Sequence, residues 1–368
     1  MTRLVAVDLP TSDAFVAALR DIWDRGDAIL PLDQRLPIAA RRAIVTKFGA
    51  ARVIDANDEV ALPDHRTYSP DDALVIATSG TTGEPKGVIH SHASLAASSR
   101  IVADALHLDS HDHWLACLPV AHIGGFGVVA RAIATGARLT CIPRPDAEAI
   151  AAAADAGATH TSLVPTLLSR IDSSRWRTIL VGGASVPHDR PTNVVATYGL
   201  TETCGGVVYD SRPLAGVEVR IVSDEVLLRT PTLCRGYIDG APNVTDGWLS
   251  TGDLGRWSDG LLHVAGRRDD LIVTGGSKVW PQPVERVLLA HPLVADVVVR
   301  GIPDDTWGSI VCAWIVPHER TAAPTLDDLR TLVRTELSDV AAPRKLVVVD
   351  EIPRTALGKA IVGQLPGR

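Results

Sequence analysis

The chain has 368 residues, room for two or three domains with a sizeable core. Hydrophobic residues make up 46% and aromatics only 4%, which excludes a disordered chain and favours an aliphatic α/β core. The net charge of −7 argues against a general nucleic-acid binder, which needs a basic footprint. Five widely spaced cysteines (Cys117, Cys141, Cys204, Cys234, Cys312), with no C-x-x-C, point to free thiols in a reducing compartment. The apolar run Leu4–Val7 is broken by Asp8 and is too short for a signal peptide. No stretch reaches about 18 uninterrupted apolar residues, since even 123–142 is cut by Arg131 and Arg138. A cytoplasmic protein without membrane insertion is therefore expected.

Residues 13–24 place Phe15, Leu19 and Ile22 at helical spacing. Residues 73–77 form a short apolar run that enters a Gly/Thr-rich loop, and Val88-Ile89 follows that loop as a strand. A helix is expected over 94–106 and an Ala-rich one over 147–156. Strands are expected at 162–164, 179–181 and 194–197. Strands alternating with helices imply a parallel sheet covered on both faces. From 207 to 265 the texture changes to one-faced alternation (Val217, Val219, Ile221). Asp-Gly pairs at 239–240, 246–247 and 259–260 add turn signals, so a small antiparallel β unit is expected. Beyond Arg267 a third texture begins. It has a short helix with Val284, Val287 and Leu288, strands at 296–299, 310–316 and 345–349, and a capping box Thr325-x-x-Asp328 opening a helix to Leu337. Leu326, Leu329, Leu332 and Val333 should face inward. The reading is an α/β protein: a large N-terminal domain over 1–267 containing the 207–265 β subdomain, then a small mobile α+β C-terminal domain over 268–368.

The segment Thr78-Ser-Gly-Thr-Thr-Gly-Glu-Pro-Lys-Gly87 carries the most chemistry. Gly80, Gly83 and Gly87 permit close approach of backbone amides to an anion. Thr78, Ser79, Thr81 and Thr82 add hydroxyl donors, and Lys86 adds a charge. This set suits a polyphosphate, although a solvated Gly/Thr turn has the same composition. It is not a Walker A loop, because a strand follows Lys86 where a helix should start.

This string resembles the phosphate loop of the acyl-adenylate-forming superfamily, which includes acyl-CoA synthetases, peptide-synthetase adenylation domains and firefly luciferase. Further stations of that family's pattern follow in order: Val181-Gly-Gly-Ala184, Tyr198-Gly-Leu-Thr-Glu-Thr203, Ser250-Thr-Gly-Asp253, Gly266-Arg-Arg-Asp-Asp-Leu-Ile272 and Pro353-Arg-Thr-Ala-Leu-Gly-Lys359. The resemblance implies a two-step reaction using ATP, Mg²⁺ and coenzyme A: a carboxylate attacks the α-phosphate, then a thiol displaces AMP. Two anions meet in the first step, so fixed cations and dipoles must offset their repulsion.

By the same resemblance, Glu202 helps hold Mg²⁺ and Thr201 touches phosphate. Tyr198 and Gly199 with Gly182, Gly183 and Ala184 receive the adenine. Asp253 accepts from the ribose hydroxyls, with Arg267 nearby. Lys359 supplies the cation of the first step. Asp269 is the hinge about which the C-terminal domain turns, and Gly275, Gly276 and Ser277 line the coenzyme A channel. In Leu118-Pro-Val-Ala-His-Ile-Gly-Gly125, His122 gates the acyl site, with Gly125 beside it. A second substrate carboxylate would need a donor, and the Ser162 hydroxyl is a candidate for the pocket wall on that ground. Arg131 joins them if its helix turns inward.

The pairs His90/His92 and His111/His113 lack further matched ligands, so a metal role is not expected. Cys204 beside Glu202 lacks a base, so it is not read as a nucleophile. Only 77 residues precede Thr78, fewer than in most members. Local strings such as Thr274-Gly-Gly-Ser-Lys-Val-Trp-Pro resemble the o-succinylbenzoate–CoA ligases of menaquinone synthesis. The partners implied are a small carboxylic acid, ATP and coenzyme A. A ligase for another aryl or alkyl acid, or one that loads a carrier protein, stays open, as does a non-catalytic nucleotide-binding relative and a homo-oligomer.

Overall fold

A computed structural model describes residues 2–79, 84–183, 190–354 and 360–367. Contacts divide the chain into two units, one of residues 1–220, 227–251 and 258–262, the other of 221–226, 252–257 and 263–368. Among the described residues six α-helices lie in the first unit: α1 (Asp13–Asp24), α2 (Ile38–Phe48), α3 (His92–Leu106), α4 (Ile123–Thr135), α5 (Ala147–Asp155) and α6 (Pro165–Leu168). The Ser12 hydroxyl caps α1 by accepting from Phe15 N at 3.2 Å, and Phe15, Leu19 and Ile22 are fully buried, as their spacing predicts. Ser91 caps α3 in the same way, and Gly136 ends α4 in the left-handed region. Among the described residues no helix is long and apolar enough to cross a membrane.

Two large sheets organise this unit. One runs in the order Gly236–Tyr237, Pro85–Ser91, Asp72–Ser79, Ala28–Pro31, Thr2–Val7, Arg52–Ile54, Glu59–Ala61, with Thr67–Tyr68 on Thr2–Val7. The other runs Arg212–Pro213, Gly205–Tyr209, Val194–Leu200, Thr178–Val181, His160–Leu163, His113–Ala116, Arg138–Cys141. Alternate residues of each strand enter different cores. Val5, Val7, Ile29, Leu74 and Ile76 of the first sheet share a cluster with Trp114, Ala116 and Leu180 of the second. Phe15 and Ile22 of α1, Leu95 and Val102 of α3 and Phe126 of α4 complete that cluster, so these helices lie between the sheets. Leu4, Ala6 and Leu30 face α2, while Leu115, Ile179 and Val181 face α5. The result is a layered α/β unit.

The expected parallel arrangement holds for a run of strands in each sheet, and both sheets are mixed. Asp72–Ser79 and Pro85–Ser91 pair antiparallel, and so do Val194–Leu200 and Gly205–Tyr209. The physical reason is connection length. A loop of a few residues closes a hairpin, whereas a parallel return needs a crossover of a dozen or more. The 207–265 stretch is also not one sheet. Gly205–Tyr209 and Arg212–Pro213 join the second large sheet, and Gly236–Tyr237 joins the first. The remainder forms a five-stranded sheet of Glu218–Val222, Glu225–Arg229, Trp248–Ser258 and Val244–Thr245, with Leu261–Arg267 on Trp248–Ser258. Asp246-Gly247 and Asp259-Gly260 turn with both φ values positive, the primed-turn geometry that Asp-Gly predicts.

In the second unit, Val294–Asp304, Gly308–Pro317 and Lys345–Val348 form a three-stranded sheet. α7 (Pro281–Leu289) and α8 (Leu326–Glu336) share one core with Val299, Val311 and Ile315. Val298, Cys312 and Trp314 pack on Ile352, Ala360 and Leu365 instead. The Thr325/Asp328 capping box is present, and Leu329 and Val333 are buried while Leu326 and Leu332 are half-buried.

Candidate active site

The two ends of the phosphate-loop segment lie on the antiparallel strands Asp72–Ser79 and Pro85–Ser91. Thr78 faces Lys86, whose carbonyl accepts from the Thr78 hydroxyl at 3.3 Å. Gly80, Thr81, Thr82 and Gly83 lie outside the described residues, as does the Ser79 side chain. Lys86 Nζ stands 5.7 Å from the ring centre of Tyr237, and the Tyr237 hydroxyl donates to Glu202 Oε1 at 2.8 Å. One chain of contacts therefore links the lysine of one motif to the carboxylate of the other. Tyr237 was not singled out from sequence. It arrives because Gly236–Tyr237 pairs with Val88-Ile89 from about 150 residues away.

Thr201–Thr203 form a single 3₁₀ turn held at each successive carbonyl. His90 Nε2 donates to Thr201 O at 2.8 Å, Cys234 N to Glu202 O at 2.7 Å, and Thr232 Oγ1 to Thr203 O at 2.8 Å. Gly199 is required by close approach, since a Cβ there would sit 2.0 Å from Gly205 O. Tyr198 is half-buried beside it. The turn thus presents Thr201 and Glu202 on a fixed backbone. A carboxylate and a hydroxyl are hard oxygen donors, which fits Mg²⁺ held through one carboxylate plus phosphate oxygens. Burial pushes the Cys204 thiol up to about 12 despite a hydrogen bond with Ser98, so it stays a thiol. Gly182 and Gly183 follow the buried strand Thr178–Val181, and Ala184 lies outside the described residues.

His122 opens α4, with Nε2 3.0 Å from Asp33 Oδ2 and 2.7 Å from Arg35 Nη2. Gly125, one turn on, is buried against the carbonyls of Leu118 and Pro119. Ser162 is buried on the strand His160–Leu163, on the same face as His160. Arg131 does turn inward. It is only 7% exposed, and its guanidinium lies 4.8 Å from the Trp114 ring centre. Arg131 Nε and Nη1 have no hydrogen-bond partner among the described residues. Burial pulls its pKa below the usual range, with Tyr209 and Cys204 working the other way. His160 packs on the same Trp114 at 5.1 Å, and its buried Nε2 is also without a described partner. Burial brings His160 down to about 4, with Asp112 opposing, so it is neutral.

In the second unit, Asp253 is buried and Arg267 Nε lies 3.0 Å from its Oδ1. Beside them Glu225 accepts from Gly252 N at 3.0 Å and from Arg268 Nη2 at 2.7 Å, a support that sequence reasoning missed. Asp269 is exposed in a one-turn 3₁₀ segment, Arg268–Asp270. Gly275 and Gly276 make the turn between Ile272–Thr274 and Ser277–Val279, with φ of 55° and 78°, conformations that favour glycine at both positions. Lys359 lies outside the described residues.

Comparison with known proteins decides the family. The AMP-binding enzyme family matches residues 55–238, and the AMP-binding enzyme C-terminal domain matches residues 283–359. The chain belongs to the AMP-binding enzyme family. A relative of this AMP-binding enzyme in Mycobacterium tuberculosis (strain CDC 1551 / Oshkosh), named "Probable 2-succinylbenzoate--CoA ligase", is 38% identical over 319 residues, covering 78% of this chain and 82% of its own length. The 2-succinylbenzoate–CoA ligase of Bacillus anthracis (strain A0248) is 33% identical over 334 residues, covering 79% and 69%. The o-succinylbenzoate CoA synthetase of Bacillus subtilis, solved with the acyl-adenylate intermediate OSB-AMP, superposes with a TM-score of 0.89 at 26% identity, covering 100% of this chain and 88% of that one. The same enzyme with ATP and magnesium ion gives a TM-score of 0.86 at 27% identity, covering 99% and 89%.

Proposed function

We propose that this AMP-binding enzyme is an ATP-dependent o-succinylbenzoate–CoA ligase. In the first step the aliphatic carboxylate attacks the α-phosphorus of ATP, the bond to the β-phosphate oxygen breaks, and pyrophosphate leaves. In the second step the coenzyme A thiol attacks the acyl carbon, the C–O bond of the mixed anhydride breaks, and AMP leaves with one oxygen from the acid. Magnesium, when bound, offsets phosphate charge; Glu202 would hold it, with Thr201 on phosphate. Lys86 and Lys359 supply fixed positive charge to the first step. Tyr198 with Gly182 and Gly183 would receive the adenine, and Asp253 with Arg267 the ribose. The reading takes 268–368 as the mobile domain with Asp269 as hinge, and Gly275–Ser277 as the thiol-side channel.

The observation that carries the choice of acid is Arg131. A guanidinium buried with two partnerless nitrogens is costly unless a ligand anion completes it. o-Succinylbenzoate brings a second carboxylate on its aromatic ring, and Arg131 with the Trp114 face beside it offers a cation and an apolar wall. His122 Nε2 is already engaged with Asp33, so the second charge falls to Arg131. The 38% identity to a relative named for this acid supports the same reading. The test compares kcat/KM for o-succinylbenzoate with that for 4-phenyl-4-oxobutanoate, which lacks the ring carboxylate. A strong preference for the diacid is expected; equal values would move the assignment to a ligase for another aryl or alkyl acid.

A further inference from the structure

Two side chains, Arg35 and His122, converge on one carboxylate oxygen of Asp33. His122 Nε2 lies 3.0 Å and Arg35 Nη2 2.9 Å from Asp33 Oδ2. Asp33 Oδ1 meanwhile accepts from Arg35 Nε at 2.9 Å and Arg35 N at 3.0 Å. Asp33 is only 7% exposed. Burial works to raise its carboxyl, yet the His122 and Arg35 hydrogen bonds outweigh it and hold the group well below the carboxylate range. The oxygen is therefore an ionised acceptor. This decides the imidazole's proton: Nε2 cannot donate to Asp33 and accept from Arg35 at once, and the anion takes the N–H. The orientation of the ring is thus fixed by groups outside α4.

We propose that Asp33 and Arg35 are positioning residues for the acyl substrate, acting through His122. The inference rests on the reading that His122 lines the acyl site. The segment that carries them is tethered independently: Leu32 N donates to Val7 O at 3.0 Å, and Gln34 and Arg41 both reach Asp8. Loss of the Asp33 charge should therefore free the imidazole without releasing the segment. In Asp33→Asn the anion is gone and Arg35 loses its bidentate partner, so the imidazole is no longer held in one orientation.

The experiment is acid-dependent ATP–pyrophosphate exchange with full-length protein, using whichever carboxylate the unmutated enzyme turns over fastest. Asp33→Asn, Arg35→Met, His122→Ala and the Asp33→Asn/His122→Ala double variant are compared. Asp33→Asn should raise KM for the acid about tenfold while KM for ATP stays within about twofold, as expected for loss of a charge-assisted hydrogen bond at one subsite. Arg35→Met should move the acid KM in the same direction, and serves if Asp33→Asn does not fold. In the His122→Ala background Asp33→Asn should add nothing, because its effect passes through that ring. Additive effects in the double variant, or equal losses toward acid and ATP, overturn the proposal. If His122→Ala itself leaves the acid KM unchanged, the acyl-site reading of His122 fails, and the positioning role fails with it.

Discussion

Arg131→Met should make the protein more stable and the ligase less selective. The guanidinium is 7% exposed, with Nε and Nη1 unpartnered, so its burial penalty is several kcal/mol. The Trp114 face at 4.8 Å returns about 2 kcal/mol. A net cost of roughly 1–3 kcal/mol then remains in the absence of acid, and methionine, of similar length and no charge, removes it. At about 2 °C per kcal/mol for a unit of this size, Tm should rise by about 2–6 °C. Binding moves the other way. A charge-assisted contact to the ring carboxylate contributes about 1.5–3 kcal/mol, so kcat/KM for o-succinylbenzoate should fall roughly ten- to a hundredfold. 4-Phenyl-4-oxobutanoate, without that carboxylate, should be nearly unaffected. Thermal melting and acid-dependent pyrophosphate exchange read both effects on one sample. A lower Tm together with equal losses for the two acids would refute the reasoning and make Arg131 a framework residue.

Lys359→Ala should block acyl-AMP formation yet spare thioester formation from supplied acyl-AMP; normal pyrophosphate release would remove it from the first step. Asp269→Pro should let acyl-AMP accumulate while coenzyme A transfer slows, because a fixed φ hinders rotation; equal loss in both steps with an unchanged melting curve would discard the hinge. Glu202→Gln keeps shape and removes charge, so adenylation should fall and its magnesium dependence should weaken; an unchanged magnesium titration would count against this residue. Burial holds His90 and His160 down to about 4 from 6.5, against the Thr201 hydrogen bond and Asp112 respectively. Unfolding lets both take up protons, so their contribution to stability is complete above pH 6.5 and is lost as pH falls toward 4. Tm should therefore drop between neutral pH and pH 5, less steeply in His90→Gln; a flat profile would contradict the neutral buried state.

What could be read from the sequence was what is local. The phosphate loop and Tyr198–Thr203 are contiguous strings whose residue types already state their chemistry. α1 announced itself through apolar spacing, and α8 through apolar spacing and a capping hydroxyl. The layered α/β class followed from alternation, but the direction of strand pairing did not, because a four- or five-residue link between apolar runs looks alike until one asks whether it can cross a sheet. The turns Asp210-Ser211 and Ser223-Asp224 carry positive φ at both positions without any glycine, so they escaped the Asp-Gly signal. The supports of the site were hidden for a different reason. His90 reaches Thr201 across 111 residues and Asp33 reaches His122 across 89, and a single sequence holds no trace of such pairings. Arg131 was visible as a charge interrupting an apolar run and as a pocket residue if its helix turned inward; its burial over Trp114 meets that condition.

The central claim is that the acid is activated as a mixed anhydride with AMP, and oxygen tracing tests it most directly. o-Succinylbenzoate labelled with ¹⁸O in its aliphatic carboxylate is incubated with the enzyme, ATP, magnesium and coenzyme A, and the products are read by mass spectrometry. One labelled oxygen should appear in AMP for each o-succinylbenzoyl-CoA formed, with none in pyrophosphate. Label in inorganic phosphate with ADP as the nucleotide product, or thioester formed with unlabelled AMP, would contradict it.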